Sequence, residues 1–167
     1  MRRLDPNAPP PQAPGRAAFA LRRMVPADLG EVMLIERLAF KHPWSADLFR
    51  RELEHAWSTI LVAEEASEGR RRLLGFIIYW LVHDEIHVLN VATDPGERRR
   101  GVARALMREC LAAGGQAGAH LATLEVRRSN AAAIALYQSL GFRSAGIRPN
   151  YYADEGEDGI VMLLDLP

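Results

Sequence analysis

From Glu85 to Ala113 the chain runs through a β-branched, apolar strand candidate, a turn with three consecutive arginines before Gly101, and a helical pattern. No other feature constrains the fold as much. A strand that feeds a helix through a short turn must pack that helix back onto its own sheet. The first N–H groups of such a helix have no partner inside it, and with the helix dipole they attract anions. Gly101 lets a ligand approach the backbone closely, and arginine forks match phosphate oxygens. The stretch Arg98-Arg99-Arg100-Gly101-Val102-Ala103-Arg104 therefore predicts a pyrophosphate-binding turn. It is not a Walker A loop, because no Gly-Lys-Ser/Thr follows, and it lacks the three spaced glycines of the dinucleotide fingerprint. Taken alone, it could equally be a solvated, arginine-rich helix start.

The rest of the chain supplies elements for one domain. A short strand through Phe19, Leu21 and Arg23 opens the ordered part near Ala18. Pro26-Ala27-Asp28 starts a helix predicted to reach about Phe40, with Leu29, Val32, Met33, Ile35, Leu38 and Ala39 on its apolar stripe. His42-Pro43-Trp44 breaks it, and Ser45 caps a second helix to about His55. Thr59–Glu65 and Leu73–Val82 read as a hairpin around Ser67-Glu68-Gly69-Arg70. The helix from Gly101 to Ala113 is expected to stop at Gly114-Gly115. A strand, Leu121–Val126, and a helix capped by Ser129-Asn130 and ended by Gly141 come next. Phe142–Ile147 and Gly159–Asp165 close the chain as an antiparallel pair. This order implies a single α/β domain over residues 18–167, a mixed sheet with helices on both faces. Residues 1–15 hold five of the ten prolines and almost nothing apolar, so they read as a disordered tail of the kind an upstream start codon adds.

Charge and cysteine content narrow the function. The 21 basic and 21 acidic side chains cancel, which argues against a general nucleic-acid or membrane binder. Cys110 is the only cysteine, so no disulfide forms within the chain, and core packing accounts for it. No apolar run reaches the ~18 residues of a membrane span, and no secretory signal follows Arg2-Arg3. A cytoplasmic protein is expected. His83, Glu85 and His87 share a strand face, but no further ligand cluster completes a metal site, so none is expected.

"LEVRRSNAAAIALYQSLGF", Leu124 to Phe142, follows the arginine-glycine turn after one more strand. With that addition the chain resembles the GNAT acetyltransferases, which use acetyl-coenzyme A, over nearly everything from Phe19 to Leu166. Their phosphate loop has the pattern Gln/Arg-x-x-Gly-x-Gly/Ala, which Arg98 to Ala103 match. "HPWS" at His42–Ser45 and "RPNYY" at Arg148–Tyr152 look like the bacterial RimI branch, which acetylates the N-terminal alanine of a small-subunit ribosomal protein. The resemblance implies the GNAT fold, with a mostly antiparallel sheet, and an N-acetyltransferase acting on a ribosomal protein. It also implies coenzyme contacts from Val91, Ala92, Thr93, the Arg98–Arg104 turn, Asn130 and Tyr137, with the coenzyme arm adding beside Leu89 to Thr93 like an extra strand.

Acetyl transfer to an amine needs a neutral amine, a stabilised oxyanion and a protonated leaving thiolate. An α-amine titrates near ~7.7–8.0, so a carboxylate is base enough and no covalent intermediate is required. Glu125 sits inside a strand, where glutamate is depleted. It reads as a candidate base or as a strand-end charge paired with Arg127, and the resemblance implies the base. Tyr137 lies on an apolar helical stripe and could be core; the resemblance makes it the acid that protonates the coenzyme sulfur. A backbone N–H in the Leu89–Thr93 stretch, such as that of Val91, could hold the acetyl oxygen. On the acceptor side, the resemblance implies an entrance framed by Phe40–Ser45 and Asn150–Asp158, where Tyr151 and Tyr152 could clamp a peptide backbone and Trp44 is either a substrate contact or ordinary core. The acidic run of Asp154, Glu155, Glu157 and Asp158 would favour a basic peptide or be a surface loop. Asp84 and Glu85 are expected near the same entrance. A small-molecule amine or a lysine as acceptor, and a non-catalytic acyl-coenzyme A sensor, are the competing readings.

Overall fold

The computed structural model describes residues 19–167; the proline-rich segment 1–15 lies outside them. Seven strands form one sheet: β1 (Phe19–Arg23), β2 (Ser58–Ser67), β3 (Arg70–Val82), β4 (Glu85–Thr93), β5 (Leu121–Arg127), β6 (Arg143–Tyr152) and β7 (Glu157–Asp165). Their order is β1-β2-β3-β4-β5-β7-β6. Only β4 and β5 run parallel; every other pair is antiparallel. Helices α1 (Leu29–Ala39) and α2 (Ala46–Glu54) precede the β2–β3 hairpin, α3 (Val102–Gln116) joins β4 to β5, and α4 (Ala131–Ser139) joins β5 to β6.

Alternation along the strands builds two cores. On β3, Phe76 and Ile78 join Val32, Ile35 and Phe49 of α1 and α2 on one face. Leu74, Ile77 and Tyr79 join Leu106, Met107 and Cys110 of α3 and Tyr137 of α4 on the other. Cys110 is fully buried, and burial pushes its thiol pKa up, as a core side chain requires.

The predicted stop at Gly114-Gly115 is overturned: α3 continues through both residues to Gln116. A Cβ at position 114 would lie 2.1 Å from Ile86 Cδ1. Gly114 therefore serves close helix–sheet packing rather than termination. The helix ends just before Gly118, at φ +93°. The stripe of α1 also differs from its prediction. Leu38 is 61% exposed while Glu36 is 1% exposed. At about 100° per residue, Glu36 falls close to Val32 and Leu38 lies well round the helix. β6 extends to Tyr152, which shortens the final loop to residues 153–156.

Candidate active site

β4 and β5 pair only over Glu85–Val88 and Leu121–Leu124. Beyond that point the two strands splay. Leu89 to Thr93 and Glu125 to Arg127 then have no strand neighbour on their facing sides. β4 also carries a bulge: Asn90 pairs with Ile78 and Val88 with Tyr79, leaving Leu89 as the extra residue. No glycine or proline marks this bulge locally.

The splay opens into a cavity of about 640 Å³. Its walls collect Trp44, Val91, Glu125, Asn130, Tyr137, Tyr151 and Tyr152, which lie on six separate elements or loops. Ala92, Thr93 and the Arg98–Arg104 turn are not part of this wall.

Glu125 is half-buried on β5, and Arg148 Nη2 stands 3.3 Å from its Oε1. Arg127, the partner considered from sequence, instead bonds Glu155 at 2.9 Å and lies over the Tyr152 ring at 4.1 Å. Tyr137 is 9% exposed and packs against Phe142. Burial pushes its phenol up to about 12, with a smaller contribution from Tyr152. It is thus a held proton rather than a standing anion. Asn130 caps α4 by accepting the N–H of Ala133, and lines the cavity as well.

The acceptor side joins the α1–α2 loop to the β6–β7 loop. Trp44 packs on Phe49, and His42 Nε2 lies 3.8 Å from Glu155 Oε1 across the opening. Tyr151 and Tyr152 meet edge to face at 5.1 Å. Three acidic residues of this region are committed within the chain. Glu157 accepts the Ser129 N–H, Asp158 accepts the Asn150 N–H, and Glu155 takes Arg127. Asp154 has no ion-pair partner among the described residues. Asp84 and Glu85 do not sit at this entrance. They lie at the far end of β4, beside His120 and His87 respectively. Among the described residues no cluster suited to a metal ion occurs.

The turn before α3 forms a second, shallower feature. Gly101 takes φ +81° and Arg99 φ +65°. Neither a side-chain cap nor an acidic residue occupies the first turn of α3. The N–H groups of Val102, Ala103 and Arg104, in that first turn, have no acceptor within the helix, a setting that favours negative charge. Arg98 and Arg99 are exposed. The Arg100 guanidinium is turned into the protein, where it meets Glu65 at 2.6 Å and Glu97. Glu36 and Asn90 are cavity residues that the sequence reading missed. A glutamate in the middle of an apolar stripe was the available signal.

The profile of the acetyltransferase (GNAT) family matches residues 29–142. The chain is 38% identical over 141 residues to the [ribosomal protein bS18]-alanine N-acetyltransferase of Escherichia coli K12, covering 83% of this chain and 92% of that one. The crystal structure of the ribosomal-protein-S18-alanine N-acetyltransferase from Escherichia coli superimposes with a TM-score of 0.79 at 36% identity, over 89% of this chain and 94% of that one. Ard1 from Thermoplasma volcanium has the same fold, with a TM-score of 0.82 at 27% identity over 90% and 99% of the two chains. The chain belongs to the acetyltransferase (GNAT) family, whose members use acetyl-coenzyme A.

Proposed function

From that membership, we propose that the chain transfers the acetyl group of acetyl-coenzyme A to the N-terminal α-amine of a protein, the acceptor being the N-terminal alanine of a small-subunit ribosomal protein. The observation that carries this reading is the meeting of Glu125, Tyr137, Trp44, Tyr151 and Tyr152 around one cavity at the splay of β4 and β5. The name of the Escherichia coli relative supports the choice of acceptor.

The residues suit the substrate. The Val102, Ala103 and Arg104 N–H groups take the pyrophosphate, with Arg98 and Arg99 adding positive charge. The facing side of Leu89 to Thr93 offers backbone groups to the pantetheine arm in place of a strand. Asn130 and Tyr137 close the arm from α4. Glu125 accepts the proton that the α-ammonium loses, directly or through water. As the amine nitrogen bonds to the acetyl carbon, a β4 N–H such as that of Val91 stabilises the developing oxyanion. The carbon–sulfur bond then breaks. Tyr137 donates its proton to the sulfur as negative charge builds there, and the second proton that the nitrogen sheds on becoming an amide passes through water to restore the phenol. A free thiol titrates near ~8.5, below the phenol, but the same burial raises the proton affinity of both groups.

The acceptor is tested by coenzyme A release with two basic peptides beginning with alanine, one with a free and one with a blocked α-amine. Turnover of the free peptide alone is expected, and Glu125→Gln abolishes most of it. Reaction of neither peptide, with acetyl-coenzyme A still bound, overturns the acceptor assignment and turns the search to small amines.

A further inference from the structure

Glu36 projects from α1 into the wall of the reaction cavity while remaining 1% exposed. Among the described residues no arginine or lysine pairs with it. Each oxygen is held by a neutral donor: Oε1 accepts the Trp44 N–H at 2.8 Å, and Oε2 accepts Asn90 Nδ2 at 2.9 Å. Burial raises the pKa of this carboxyl, and the two hydrogen bonds oppose the rise. A buried carboxylate without a counter-ion costs stability compared with an apolar residue of its size. Its geometry is the benefit that stands against this cost.

That geometry bears on the weakest part of the sheet. Asn90 follows the bulge residue Leu89, in the segment of β4 that lacks a neighbour on the β5 side. A bulged strand with one open edge is poorly held in register and aim. An ionised carboxylate only accepts, so Asn90 must turn its amide nitrogen towards Glu36. The other oxygen of Glu36 fixes the backbone of the α1–α2 loop at Trp44, on the acceptor side.

We propose that Glu36 is a positioning residue for acetyl transfer, clamping Asn90 and the Trp44 backbone so that the bulged Leu89–Val91 stretch holds its aim against the acceptor-side loop. The inference rests on the acetyl-transfer reading of the cavity. Glu36 itself touches no reacting atom.

Glu36→Gln tests it. The new amide has one accepting and one donating end, yet it faces two donors, so one contact is lost. In Glu36→Gln/Asn90→Asp both contacts return: the new amide still accepts from the Trp44 N–H, and the contact to residue 90 reverses, the amide nitrogen donating to the new carboxylate. The single variant is expected to lose roughly ten- to hundredfold in kcat, as small misplacements do. Its dissociation constant for acetyl-coenzyme A rises by less than kcat falls, because the turn before α3 is untouched, and the double variant regains most of the rate. The backbone amide resonances of Leu89, Asn90 and Val91 in the ligand-free protein are expected to move in the single variant and return in the double. Parental kcat in Glu36→Gln, or amide resonances that do not move, overturns the clamp. If Glu36→Gln fails to fold, Asn90→Ala removes the same bond from the other side, and an unchanged kcat there also overturns it. If the parent protein acetylates no peptide, the acceptor reading fails by itself, and the amide resonances still decide the clamp.

Discussion

Behind the turn that opens α3, Glu65 and Glu97 each touch both Arg72 and Arg100, closing a ring of two acids and two bases. Around the cavity, Glu36 has only neutral donors, and Glu125 faces one half-exposed arginine at 3.3 Å. In the first region every charge meets its opposite, and the arginines hold the Glu65 and Glu97 carboxyls below the usual glutamate range. In the second, burial without a cation pushes Glu36 up. The contrast separates scaffold from site. Neutralised charges shape a turn, whereas carboxylates outnumber lysine and arginine along the cavity wall.

The largest effects should come from the cavity. Glu125→Gln and Tyr137→Phe are each expected to lower kcat by ~10²–10⁴, with acetyl-coenzyme A binding preserved, in a coenzyme A release assay. Tyr137→Phe keeps the packing on Phe142, so an intact melting temperature should accompany the loss. Because Tyr137 must be protonated to act, its contribution fades only as pH rises towards about 12. An alkaline decline in kcat near the reference value of ~10 that vanishes in Tyr137→Phe would contradict the burial argument.

Breaking the ring should act on binding rather than chemistry. Glu65→Gln takes one carboxylate away from both Arg72 and Arg100. It is expected to raise the KM for acetyl-coenzyme A by roughly tenfold, the scale of a lost charge-assisted hydrogen bond, while kcat at saturation holds. A fall in kcat with KM unchanged would erase the distinction between the regions. A smaller effect is expected at Gly101. A Cβ there meets nothing within 4 Å, but the backbone has φ +81°. Gly101→Ala should cost about 1–2 kcal/mol in a denaturant titration, with a modest rise in the same KM.

The smallest effect sharpens the comparison by sign. The folded-state pKa of Glu65 lies below its unfolded value of ~4.3, so its stabilisation is present above that pH and lost as pH falls through the folded value. The folded-state pKa of Glu36 lies above the unfolded one. Its contribution is therefore fully present below ~4.3 and lost as pH rises through the folded value. Melting curves from pH 3 to 8 should show the disadvantage of Glu65→Gln growing with pH and that of Glu36→Gln shrinking. Parallel trends would mean that the two carboxyls sit in equivalent environments.

Much of the cavity is legible in the sequence. Glu125 stood out as an acid inside a strand, and Tyr137 and Asn130 as members of a capped helix; their roles came from the family resemblance. Arg100 shows the limit of such reading. It looked like one of three equivalent phosphate ligands, yet its guanidinium turns to Glu65, 35 positions away. Gly114 looked like a helix stop because a glycine's use depends on what approaches it, here Ile86.

Sequence by itself determined the strands and helices, the N-caps at Ser45 and Asn130, and the need for a glycine before α3. Periodicity, capping and φ preference act within a few residues, so a chain read end to end carries them. Only the tertiary structure decided where β4 and β5 part, where the bulge falls and which charges are already taken. Asn90 meets Glu36 across 54 positions of chain. Nothing local encodes such a pair, because it is the packing of α1 on the sheet that brings the two together and excludes the water that would otherwise satisfy them.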